Sequence, residues 1–145
     1  VNNLYLNPSN MFVTMFLGFY DVKTGGLLYA NGGHHAAVHV AKDGTTTEFG
    51  VFDDPLLGIF PDNEYHVGEE QFAVGDKLFL YTDGLTESID EREVPFGEDR
   101  MREELSKDVN FPLEKICVRM FDRLIAYEQG TRSDDVTMLI LERKG

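Results

Sequence analysis

One cysteine, no tryptophan and only 13 basic residues against 26 acidic ones set the first limits on this 145-residue chain. Cys117 has no partner within the chain, so no internal disulfide forms and no zinc-type cysteine cluster exists. Flanked by Ile116, Val118 and Met120 in a helical pattern, it is expected to be a small buried apolar side chain. The Lys and Arg residues are scattered and the formal charge is −13, so there is no electrostatic footprint for a phosphate backbone and nucleic acid is not expected as a partner. Apolar runs fall far short of the roughly 20 residues of a membrane helix, which makes a cytoplasmic chain the expectation. No glycine-rich loop ending in Gly-Lys-Ser/Thr is present, and no Gly-x-Ser-x-Gly elbow, so nucleotide-dependent phosphoryl transfer and acyl-enzyme chemistry fall away. The chain starts at Val1 without a positively charged leader, and reads as a fragment cut from a longer protein.

What is present suffices for a packed core: 42% hydrophobic residues, with 11 Phe and 6 Tyr. The length suits one domain, residues 1–145, able to bury roughly 68–70% of its unfolded surface. Met11 to Tyr20 has the composition of a strand buried on both faces. After a turn at Asp21 to Gly26, Leu27 to Ala30 pairs back as a hairpin. Ala36 to Val40 and a second turn at Lys42-Asp43-Gly44 extend a meander. Residues 49–63 are dense in turn formers and read as an irregular connection. Tyr65 to Val67 and Glu70 to Phe72 are weaker strand candidates, and Leu78 to Tyr81 is a firm one. Apolar residues then take helical spacing over Glu98 to Leu105 and Leu113 to Tyr127, and Val136 to Leu141 closes the chain as a strand. Strands first, helices late and one closing strand describe an α+β layered domain.

Two acidic clusters carry the chemistry. Lys77 to Tyr81 delivers Thr82-Asp83-Gly84, and 51 positions after Asp83 comes Asp134, in Ser133-Asp134-Asp135 at the head of the last strand. A carboxylate at the end of a buried strand calls for neutralisation, and a hard divalent cation such as Mg²⁺ or Mn²⁺ takes oxygen ligands. Each motif also has a plain reading: Asp-Gly marks ordinary turns, and Asp134 can cap backbone amides. Asn31-Gly32-Gly33-His34 is a third candidate, with exposed backbone and an imidazole able to act as acid or base, or simply a turn. His34, His35, His39 and His66 have no zinc-ligand spacing.

In order, Met11-Phe12-Val13-Thr14, Tyr29-Ala30-Asn31-Gly32-Gly33-His34, Pro55-Leu56-Leu57-Gly58, Leu80-Tyr81-Thr82-Asp83-Gly84-Leu85-Thr86-Glu87, Phe96-Gly97-Glu98-Asp99-Arg100 and Asp134-Asp135-Val136-Thr137 follow one another along nearly the whole chain. This series resembles the C-terminal two thirds or so of the metal-dependent protein phosphatases (PPM, or type 2C), in their bacterial branch typified by stage II sporulation protein E. The resemblance implies a layered β-sandwich flanked by α-helices, N-terminally truncated here. It implies two Mn²⁺ or Mg²⁺ ions in the intact domain, hydrolysing phosphoserine or phosphothreonine. Asp83 and Asp134 match metal-binding aspartates, while Gly84, Thr86 and Asp135 frame the centre and His34 falls in a substrate-side or framing loop. No residue of this chain matches a catalytic side chain. Phe96, Gly97 and Glu98 open a helix that tunes the metal site in the regulatory branch.

The pattern departs from the family in two places. Nothing before Met11 supplies the aspartate that bridges the ions, so the fragment by itself is expected to bind no ions and to be nearly inactive. Asn31-Gly32-Gly33-His34-His35-Ala36 replaces the usual Asn-Ala-Gly-His-Asn-Pro. The implied partners are a phosphorylated regulatory protein such as an anti-sigma factor antagonist and an upstream sensor module, through which the parent can be membrane-tethered. Apolar surface left by truncation also offers a route to homodimers. The competing readings are a phosphatase-like module that binds or senses without catalysis, and acidic loops that hold Ca²⁺ structurally.

Overall fold

The computed structural model describes residues 12–60, 62–128 and 135–145. Two antiparallel sheets and helices form an α+β protein, divided into two compact units: residues 1–36 with 49–72, and residues 37–48 with 73–145.

In the first unit, β1 (Met15–Tyr20) and β2 (Gly26–Gly32) pair antiparallel from Met15↔Gly32 to Tyr20↔Leu27. Asp21 closes the hairpin, its Oδ1 accepting from Lys23 N at 2.8 Å, an Asx-type turn that replaces missing strand partners. β5 (Gly68–Gln71) adds to the other side of β2. The core is aromatic: the Tyr29 ring lies 5.0 Å from Phe49 and 5.5 Å from Phe16, and Phe49 lies 6.2 Å from Phe72.

The second unit holds a four-stranded sheet in the order β4-β3-β6-β7, with β3 (Ala37–Val40), β4 (Thr46–Phe49), β6 (Lys77–Tyr81) and β7 (Met138–Glu142). Single-turn α1 (Asp83–Thr86) follows β6, and α2 (Glu98–Asp108) and α3 (Leu113–Glu128) come before β7. Their apolar stripes, Met101 and Leu105 on α2 and Ile116, Met120 and Leu124 on α3, pack with Val38, Val40, Phe79 and Tyr81 of the sheet into one core. Asp108, almost fully buried at the end of α2, ties the helices together by accepting from Arg119 Nε at 2.9 Å and from the Arg123 guanidinium.

Four expectations change. β1 begins at Met15 and is exposed from Leu17 onward, with Phe19 71% accessible; among the described residues it is the edge of its sheet, paired with β2 alone. Tyr65 to Val67 stay outside strand geometry. The meander breaks after β2: the Asn31–Ala36 segment takes the chain from one sheet to the other, so β3 pairs with β6 rather than continuing the first hairpin. Cys117 is half-buried rather than fully enclosed.

Candidate metal centre

β6 and β7 pair antiparallel from Lys77↔Glu142 to Tyr81↔Met138, which brings the end of one acidic segment to the start of the other. Thr82 carries the pairing past the last strand residue. Its N–H donates to Thr137 O at 3.1 Å, Thr137 N donates to Thr82 Oγ1 at 3.0 Å, and Thr82 Oγ1 donates to Asp135 O at 3.3 Å. A side chain thus replaces a backbone rung where the chain turns away into α1.

Asp83 opens α1 and is exposed, while Leu85, one turn face away, is fully buried and roots the turn in the core. Asp83 Oδ1 accepts from Gly84 N at 3.0 Å. Buried Thr86 donates from Oγ1 to Asp83 O at 3.3 Å, closing the turn from within. Gly84 has a steric reason to be glycine: an added Cβ would meet Asp135 O at 2.4 Å and Asp135 C at 3.0 Å. The Asp83–Gly84 turn and the Asp135 backbone are therefore in direct contact, and Asp135 is itself exposed. Asp134 lies outside the described residues.

The segment leading into α2 fastens to the same turn. Phe96 N donates to Ser88 O at 2.7 Å, and Gly97 N donates to Thr86 O at 2.9 Å. Tyr81 OH donates to Glu98 Oε1 at 3.4 Å; burial, joined by the Glu98 charge, pushes the Tyr81 phenol well above its ordinary range, so it stays a donor. Phe96 is buried, and Glu98 reaches across from the first residue of α2 to the strand that ends at the Asp83 turn.

His34 belongs to the first unit. Asn31, buried, governs its loop: Nδ2 donates to His34 O and Gly50 O, each at 2.8 Å, and Oδ1 accepts from His34 N at 2.8 Å. Gly33 has φ +70°, and a Cβ there would meet Leu56 Cδ2 at 2.1 Å. His34 Nδ1 stands 3.3 Å from Thr14 Oγ1.

One oxygen donor of the kind a hard cation takes is in place. Asp83 is an exposed carboxylate on a turn held by hydrogen bonds among neighbouring backbone and hydroxyl groups. Among the described residues, no group of three or more His, Cys, Asp or Glu converges to hold an ion. The structure gathers Asp83, Gly84, Thr86 and the Phe96–Glu98 segment, all singled out in the sequence, around one turn, and adds Ser88, which the sequence did not single out. The signal for Ser88 was its place four residues after Gly84, where a serine hydroxyl reaches back to the carbonyl at i−4.

The family described as stage II sporulation protein E (SpoIIE) matches residues 2–144. Among curated proteins, the chain is 28% identical over 134 residues to Protein IcfG of Synechocystis sp., covering 92% of this chain and 21% of that one. It is 25% identical over 139 residues to phosphoserine phosphatase RsbU of Bacillus subtilis, covering 94% and 40%. This chain thus spans well under half the length of these relatives. The fold matches the RsbU and RsbW domains of Rv1364c from Mycobacterium tuberculosis with a TM-score of 0.82 at 23% identity, over 99% of this chain and 40% of that one. It also matches the SiaA-PP2C domain of Pseudomonas aeruginosa (TM-score 0.77, 21% identity, 89% and 51% covered) and the manganese-soaked phosphatase domain of SpoIIE from Bacillus subtilis (0.71, 17%, 90% and 56%).

Proposed function

The chain belongs to the stage II sporulation protein E family and has the fold of PP2C-type phosphatase domains, and from that premise we propose that it forms part of a metal-dependent protein phosphatase acting on phosphoserine or phosphothreonine of a regulatory protein. The observation that carries this reading is the junction of the two acidic segments: the Asp83–Gly84 turn packed on the Asp135 backbone and laced to it through Thr82.

Asp83 and Asp134 would hold the ions, with a further carboxylate supplied from outside this chain in the full-length protein. Two divalent cations so held would supply an activated water and would neutralise charge growing on the phosphoryl oxygens. The chain's own residues position. The buried Leu85 and Thr86 fix the turn, so that the Asp83 carboxylate is presented on a rigid support rather than a mobile loop. Gly84 lets the Asp135 backbone approach within the space a methyl group would fill. Glu98, through Tyr81, links the start of α2 to the strand that ends at Asp83, which is a route by which movement of that helix would reach the site.

A phosphoserine-bearing protein fits the reading, since the relative RsbU carries the name phosphoserine phosphatase, and a regulatory partner in sigma-factor control is the form of it we propose. The test is phosphate release from a phosphoserine protein by the full-length protein with Mn²⁺. Asp83→Asn is expected to lower the rate by roughly 100-fold or more, as loss of one metal ligand does to a metal-dependent hydrolase. Turnover that persists unchanged in Asp83→Asn, or no metal-dependent turnover at all, refutes it.

A further inference from the structure

The Asp54 carboxylate is buried in the first unit, its side chain 4% accessible, and both of its oxygens go to one residue. Oδ2 accepts from His66 N, and Oδ1 meets His66 Nδ1, each at 2.8 Å. The imidazole itself lies outside that burial, 75% accessible, with Phe52 stacked on it at 5.6 Å between ring centroids. Phe52 stacks in turn on Tyr29 of β2 at 5.9 Å, so the His66 ring is backed by a pile of aromatic rings. A titratable group open to water is thus bonded to an anion that water hardly reaches.

The segment that carries Asp54, residues 50–57, supports the His34 loop. Gly50 O accepts from Asn31 Nδ2 at 2.8 Å, and Leu56 packs so closely on Gly33 that a Cβ there would meet its Cδ2 at 2.1 Å. Leu57 exchanges backbone hydrogen bonds with Val13, at 2.9 and 3.0 Å. Asp54 sits between these anchors in a stretch without strand pairing up to Leu57. Around the imidazole, Phe52 brings no charge, and Tyr65 is neutral because burial, joined by the Asp54 charge, holds its phenol above the ordinary range. Asp53 and Glu64, next to the pair in sequence, are exposed and screened by water. His34 and His35 are the titratable groups of the loop that the segment supports.

We propose that Asp54 and His66 form a proton-operated latch, which holds the 50–57 segment against the His34 loop when the imidazole is protonated and slackens when it is not. With the ring charged, Nδ1–H makes a charge-assisted bond to the carboxylate, roughly twice as strong as a neutral one. With the ring neutral, that charge is gone and the buried anion is left less compensated. The latch is therefore tight on the acid side of the imidazole range and slack on the alkaline side. It works within the first unit and does not depend on the metal-centre reading.

The experiment follows amide hydrogen exchange in the full-length protein from about pH 5.5 to 8.5, with each rate corrected for its intrinsic pH dependence. Protection of the Val13 and Leu57 amides is expected to fall about threefold as pH rises, a modest change because the ring is open to solvent. Its midpoint should coincide with titration of the His66 ring resonances, while the β6 amides of the second unit keep their protection. His66→Asn, whose amide nitrogen can stand in for Nδ1 without titrating, should show a flat profile. Asp54→Asn, which leaves the ring facing a neutral group, should be flat as well and replaces the first variant if that one does not fold. A flat wild-type profile overturns the latch. So does a response that survives in either variant, which assigns it to His34 or His35, or one shared equally by the β6 amides, which assigns it to global stability.

Discussion

Gly84 and Asp135 stand so close that a methyl group on the first would penetrate the carbonyl oxygen of the second, with only 2.4 Å between them. Both partners are fixed: Gly84 sits in a turn anchored by fully buried Leu85, and Asp135 leads into a strand hydrogen-bonded along β6. Neither backbone yields without breaking the Thr82 links. Gly84→Ala is therefore expected to destabilise the protein by about 1–3 kcal/mol, the usual cost of overpacking. A urea midpoint equal to wild type would show that the two segments separate freely.

Asn31 is the corresponding anchor of the His34 loop. Three backbone groups, His34 O, His34 N and Gly50 O, depend on one buried amide. Asn31→Ala leaves them with no replacement partner in a buried setting, and a loss of about 2–3 kcal/mol is expected. Asn31→Asp keeps the acceptor for His34 N but removes both donations, so it should fall no less than Asn31→Ala. Thermal melts of the two variants check the order; Asn31→Asp retaining wild-type stability would mean that the Nδ2 contacts contribute little.

Much of this was legible in advance because the informative signals are local. The 3.6-residue spacing of Ile116, Met120 and Leu124 fixes a helix with one buried stripe, and these three are almost fully buried in the core. The Thr82-Asp83-Gly84 turn and its late partner were visible as acidic ends of two apolar runs, and antiparallel pairing of β6 with β7 joins them. The exposure of β1 was not visible, since an apolar run specifies what a strand prefers but not whether anything covers it. Nor was Lys77: a lysine at the start of a strand reads as solvent-facing, yet it is 4% accessible. Ser88 escaped because its two partners lie 4 and 40 residues away, and only the folded chain brings the second near.

Asp108 gives the protein a defined response to acid. Burial acts to raise its carboxyl, but the Arg123 and Arg119 hydrogen bonds outweigh burial and hold it below the ordinary carboxylate range. With the folded value depressed, its contribution is fully present above the unfolded value of about 4 and is lost as pH falls through the folded one. Asp108→Asn should cost about 2 kcal/mol at neutral pH, since two guanidinium groups lose their shared anion. The gap in urea midpoint between wild type and variant should narrow steadily below about pH 4. A gap independent of pH would assign the loss to packing instead of charge.

Lys77 tests how far a buried cation on β6 depends on its neighbour. Its Nζ donates to Gly75 O at 3.1 Å and lies 3.5 Å from Oε1 of Glu142, the residue opposite it on β7, which is 26% accessible on its side chain. Removing the cation removes its desolvation cost as well, so Lys77→Met, close in volume and apolar, should stay within about 1.5 kcal/mol of wild type. Removing the anion leaves the cation buried beside a single carbonyl. Glu142→Leu should therefore cost more than Lys77→Met, about 2 kcal/mol, less than the 3–5 of a fully buried pair because water still reaches the glutamate position. The double variant should recover most of that loss. If Lys77→Met proves the more damaging single change, the ammonium is held by its carbonyl contact and packing, and the Glu142 pairing contributes little.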